Sequence, residues 1–136
     1  MAPLVRWNAR KTCHADLAAR GVPTVPTRRG HGLSAAELRD LPAALGVDEI
    51  MVKPLVGANA DDTYRLTARA ASDVLAEIAD RFTDREWMAQ PFLRAILDEG
   101  DVSTFHFQGR FSHPSTFRMH EDAPRNFADA VEAWLG

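Results

Sequence analysis

The sequence predicts an α+β fold, with antiparallel hairpins packed against helices, and three observations lead there. Apolar residues recur at helical spacing in separate segments, strand-like segments come in neighbouring pairs joined by turn residues, and regular strand–helix–strand crossovers are missing. The elements follow in order. Residues 9–19 read as a helix capped by Asn8 and stopped by Gly21. Residues 21–27 contain Pro23 and Pro26, which remove backbone donors and hold their predecessors extended, so this stretch is a connector or a short edge strand. Residues 28–32 read as a basic, glycine-containing loop. Ser34 with Glu37 then forms a capping box for a helix to Leu45, closed by Gly46.

Residues 49–53 and 63–67 read as a hairpin with a long tip. A helix over 70–82 follows, because Val74, Leu75, Ile78, Ala79 and Phe82 fall on one face, and that face belongs to the core. Residues 87–90 make a short strand ending at Pro91, and 92–100 a turn or a single helical turn. Residues 101–107 and 110–113 alternate as two strands around Gln108-Gly109, whose glycine suits a tight turn. The tail over 124–135 reads as an amphipathic helix with Phe127, Val131, Trp134 and Leu135 on one side.

Composition narrows the function classes. With 136 residues, the chain is sized for one domain and a real core. A net charge of −3 provides no general attraction for nucleic acid or an anionic membrane, so any anion site must be a local cluster. The single cysteine, Cys13, excludes an internal disulfide and suits a reducing compartment. No stretch approaches the ~20 apolar residues of a membrane span, and the N-terminus lacks a long apolar leader, so a cytoplasmic protein is expected.

The richest chemistry lies in residues 49–63. Ile50, Met51 and Val52 favour an extended backbone, which would let Lys53 leave the strand end with its stem packed and its ammonium aimed into a cleft. Gly57, Ala58 and Ala60 lack bulk, so the following backbone could approach phosphate oxygens and offer them N–H donors. An ordinary turn with a surface lysine fits the same letters. No Gly-x-x-x-x-Gly-Lys-Ser/Thr string occurs, which disfavours a Walker-type site.

Taken in order, Asn8-Ala-Arg-Lys11, Gly21-Val-Pro-Thr-Val-Pro-Thr27, Ile50-Met-Val-Lys-Pro54 with Gly57-Ala-Asn59, Gln90-Pro-Phe-Leu93, Gly100-Asp-Val-Ser103 and Gly109-Arg-Phe-Ser-His113 resemble the ATP-grasp superfamily. The resemblance is nearest to glutathione-synthetase-like and ribosomal-modification-ligase-like members. It implies that ATP lies between a small α+β lobe, residues 1–88, and a second antiparallel lobe beginning at 89–136. Lys11 would contact phosphate, and Lys53 the phosphates and the adenine edge. The loop from Gly57 through Ala58 and Asn59 to Asp62 would close over the phosphates. Gln90, Pro91, Phe92 and Leu93 would form the hinge whose backbone pairs with adenine, and Asp101 would accept bonds from the ribose.

Such enzymes activate a carboxylate as an acyl phosphate and join it to an amine or thiol, with Mg²⁺ on the phosphates. The partners implied are ATP, a small carboxylate and an amine, with neither nucleic acid nor membrane. The late strands that carry the family's metal ligands are not recognisable after His113, and the match begins within a few residues of Met1. A partial grasp domain, truncated at both ends, is therefore expected, with no catalytic or metal residue assigned. Glu121 and Asp122 fit the start of the last helix better than a metal site. Two alternatives stay open. One is a non-catalytic nucleotide-binding or interaction module without the metal segment, and the other is a homo-oligomer whose mate completes the site.

Other constellations carry less. The five histidines show no close i, i+4 pair, although His106 and His113 could meet across their hairpin. Cys13 and His14, adjacent in a helix, point apart and make no nucleophile–base pair. Arg28-Arg29-Gly30-His31 reads as a solvated basic loop, and Phe105, Phe107 and Phe111 read as core.

Overall fold

The computed structural model describes residues 7, 9–57 and 61–117, which divide into two compact units, one ending at Phe92 and one beginning at Leu93. In the first, helix α1 spans Cys13–Ala19 and strand β1 spans Arg28–His31. Helix α2 (Ala35–Leu45), strands β2 (Glu49–Pro54) and β3 (Tyr64–Thr67), helix α3 (Ser72–Arg81) and strand β4 (Glu86–Pro91) follow. The strands form one antiparallel sheet in the order β1-β4-β2-β3. The predicted α+β class is borne out, with hairpins where a parallel fold would have crossovers.

Local signals explain the helix α2. Ser34 Oγ accepts from the Glu37 amide while the Glu37 carboxylate accepts from the Ser34 amide and hydroxyl. Gly46, at φ 69°, ends it in a Schellman motif, donating to the Ala43 carbonyl as Val47 donates to that of Pro42. Leu38 and Leu41 of α2 and Leu75, Ile78 and Ala79 of α3, with Phe82 just beyond it, cover one face of the sheet. Ile50 and Val52, Leu66, and Trp87 and Ala89 meet them from β2, β3 and β4.

The β4 strand is buried on both faces from Trp87 to Gln90. Its second face is held by the residues before β1 through three ties. The Lys11 amide donates to the Leu55 carbonyl at 3.0 Å, Arg10 pairs with Glu86, and Gln90 Nε2 donates to Thr27 Oγ1 at 2.9 Å.

Three local readings need correction. The expected loop at 28–32 is mostly the edge strand β1, paired with β4, because Gly30 has no Cβ to strike the Trp87 ring opposite it. The single helix read over 9–19 is interrupted, since Trp7 and Ala9 are helical but residues 10–12 form a bend and turn before α1 starts at Cys13, and Asn8 lies outside the described residues. The third correction concerns the second unit. There the one-turn helix α4 (Ala95–Asp98) precedes the hairpin of β5 (Asp101–Phe107) and β6 (Arg110–Phe117). Gln108 and Gly109 both take positive φ, 52° and 76°, as a two-residue hairpin turn requires. Phe105, Phe107 and Phe111 are exposed rather than core. The helix expected over 124–135 lies outside the described residues.

Candidate functional site

Cross-strand register decides which side chains share the sheet's second face. Val52 and Ala89 point to the helices, so their neighbours Lys53 and Met88, directly opposite each other, point away from them. Lys53 leaves the end of β2 half-buried, as the sequence implied. Lys11 reaches the same region from the residues that cover this face, and its Nζ donates to the Gly57 carbonyl at 3.0 Å. Burial lowers the pKa of both lysines, and for Lys53 the charge of Lys11 lowers it further. Two ammonium groups from separate elements are thus held close enough to repel each other. Among the described residues neither has a carboxylate within ion-pair distance.

The loop after β2 is fixed at both described ends. At its start, the Gly57 carbonyl takes the Lys11 ammonium, and a Cβ on Gly57 would come within 3.1 Å of Pro54 Cγ. At its end, Asp62, at φ 49°, accepts from Arg85 Nη1 at 2.5 Å, from Tyr64 Oη at 3.2 Å and from Arg81 at 3.5 Å. Nothing in the sequence marked Asp62 as an anchor, since its partners lie two, 19 and 23 residues away. Ala58 and Asn59 lie outside the described residues.

The expected hinge splits between two environments. Gln90 is buried with its amide spent on Thr27, whose hydroxyl in turn donates to the Val25 carbonyl. The β1 strand pairs with β4 only as far as Ala89, so the backbone of Gln90 and Pro91 continues past that edge strand. The Phe92 amide donates to the Glu49 carbonyl, and its ring lies 4.0 Å from the Arg65 guanidinium carbon. Leu93 is exposed, and Asp101 opens β5 in the hairpin unit, also exposed.

A cleft of about 310 Å³ adjoins this face, lined by Lys11, His14, Thr24, Val25, Thr27 and Arg29 among others. Sequence reasoning passed over Arg29 as part of a solvated loop, and only the β1 register reveals its neighbours. The histidines of the hairpin do not converge. An irregularity beside Phe105 pairs His113 with Phe105, their rings stacked at 4.8 Å, and His106 with Phe111. No group of three or more His, Cys, Asp or Glu able to hold a metal occurs among the described residues. No helix among them is long and apolar enough to cross a membrane.

No family model matches the chain. The cycloserine biosynthesis protein DcsG of Streptomyces lavendulae is 32% identical over 115 residues, which cover 82% of this chain. The crystal structure of D-cycloserine synthetase DcsG superposes with a TM-score of 0.67 and 34% identity, again over 82% of this chain. The chain is a partial homologue of DcsG. It spans 38% of the length of that curated relative and 39% of the solved chain.

Proposed function

We propose that this chain is the ATP-binding part of an ATP-grasp-type ligase, which activates a small carboxylate as an acyl phosphate and joins it to an amine or thiol. The observation that carries the reading is the convergence of Lys11 and Lys53, partly desolvated and without a carboxylate partner among the described residues, with Lys11 donating to the Gly57 carbonyl. Holding two like charges together out of water is unfavourable without a polyanion to neutralise them. Homology to DcsG supports the ligase class, and the name of that relative favours a small-molecule product.

In this reading residues 1–88 form the small lobe and 89–136 begin the second. The pair Lys11 and Lys53 fits a polyphosphate, and the open backbone at Gln90 and Pro91 fits the edge of a purine. ATP would supply the phosphoryl group. The chain's own residues would bind it, orient it through two charge-assisted contacts and keep water from the buried side of Lys53. Mg²⁺ belongs to the family chemistry, but the described residues do not gather a ligand set for it, and no step is assigned through it.

Titration of the full chain with ATP tests the proposal. The variant Lys53→Met should weaken binding by roughly 1.5–3 kcal/mol, the scale of a hydrogen bond to a charged group. Because the Lys53 pKa is lowered, affinity should begin to fall with rising pH before the ordinary lysine value of 10.5 is reached. Superimposable ATP curves for parent and variant would reject the nucleotide reading.

A further inference from the structure

Arg29 stands across the sheet from Lys53 with one residue between them. Register pairs Arg29 with Met88 on β4, and Met88 with Lys53 on β2, so all three side chains share one face. Adjacent strands lie about 4.8 Å apart, which puts the two backbones roughly 10 Å from each other, within reach of two long side chains and a ligand. Between them Met88 is fully buried and supplies an apolar floor, where charge interactions are stronger than in open water. The cleft lined by Arg29 is also lined by Lys11, whose ammonium is near enough to Lys53 to depress its pKa.

Arg10, Arg65, Arg81 and Arg85 each hold a carboxylate, whereas among the described residues Arg29, Lys11 and Lys53 hold none. What sets these three apart from other arginines without a carboxylate is their shared place on this face. In a protein of net charge −3, two such cations lining one cleft, Lys11 and Arg29, with Lys53 on the same sheet face, suit an anionic ligand. A guanidinium adds what the lysines lack, a planar fork that matches two oxygens of a phosphate or carboxylate.

We propose that Arg29 completes an oxyanion site in this cleft, its guanidinium binding phosphate or carboxylate oxygens of the ligand alongside Lys11. The inference rests on the reading of Lys11 and Lys53 as anion-binding residues, and the experiment keeps the two separable. The full chain and its Arg29→Met, Arg29→Lys and Lys53→Met variants are titrated with ATP, inorganic tripolyphosphate and succinate, and thermal unfolding is followed in parallel. Arg29→Met should weaken at least one probe by about tenfold or more at an unchanged unfolding midpoint, with Arg29→Lys in between. Loss for ATP and tripolyphosphate identifies the oxyanion as a phosphate. Loss confined to succinate identifies it as a substrate carboxylate. If Arg29→Met stays within about twofold of the parent for every probe, or loses binding only together with stability, the Arg29 assignment is overturned. If Lys53→Met also leaves ATP binding unchanged, the underlying reading fails with it.

Discussion

The β4 strand and the β5–β6 hairpin are both antiparallel and have opposite fates, although the hairpin is richer in the β-branched and aromatic residues that favour strands. In β4, four consecutive residues from Trp87 to Gln90 are buried, while every residue of β5 is exposed. The β4 strand lies between two other strands, under helices on one face and the residues before β1 on the other. The hairpin depends on its turn and on cross-strand ring pairs, which alone support a two-stranded sheet only marginally. Strand-forming residues therefore do not locate stability in this chain; the layers on either side do. Core truncation should expose the difference most strongly. Phe82→Ala, at a residue with 0% exposure, should cost about 3–5 kcal/mol in denaturant melts. Phe107→Ala, at 65% exposure, should stay within about 0.5 kcal/mol. Equal losses would mean that the hairpin is covered in solution and would break the comparison.

Glycines extend the contrast at smaller scale. A Cβ at Gly30 would lie 2.7 Å from the Trp87 ring, which is pinned because its Nε1 donates to the Gly32 carbonyl at 2.6 Å. Gly30→Ala should therefore cost about 1–3 kcal/mol through overpacking. Gly109 meets nothing within 4 Å, so Gly109→Ala should show only the strain of its positive φ, about 1–2 kcal/mol. In a Trp87→Leu background, which lacks the opposing ring, adding Gly30→Ala should cost less than it does in the parent, whereas the cost of Gly109→Ala should be the same in both backgrounds. Thermal unfolding of each variant in the two backgrounds checks this ordering.

The same division between local and distant causes decides how much the sequence revealed. Helix α2 was legible because Ser34, Glu37 and Gly46 act within one turn of its ends. The helical face at Leu75, Ile78 and Phe82, and the turn at Gln108-Gly109, were legible for similar reasons. Strand β1 was not, since Arg28-Arg29-Gly30-His31 has no apolar alternation and is extended only because β4, far along the chain, pairs with it. The phenylalanines of the hairpin misled because alternation implies a covered face without supplying the cover. At the candidate site, the exit of Lys53 from a strand end could be read from three apolar letters. Its approach to Lys11 could be expected from the family resemblance alone, and Arg29 could not be found without the β1 register.

Asp62 gives a small effect on stability whose pH sign is defined. It ends the loop that Gly57 begins, and its carboxyl is held below the usual value of 3.8 mainly by the hydrogen bond from Arg85. Partial burial opposes that shift, while the Tyr64 hydrogen bond and the charges of Arg85 and Arg81 add to it. A carboxyl with a lowered folded-state pKa contributes stability in full above its unfolded value, and the contribution disappears as pH falls through the lower folded value. Asp62→Asn keeps a residue that tolerates the left-handed backbone and removes only the charge. Because both guanidinium partners are substantially exposed, the loss at neutral pH should be only about 1 kcal/mol. The stability gap between parent and variant should stay constant down to about pH 5 and then narrow as the carboxylate is protonated. A gap unchanged in acid would mean that shape at residue 62, rather than its charge, holds the loop end. Weaker ATP binding at neutral pH in the same variant would tie that loop end to the lysine pair through the backbone it fixes.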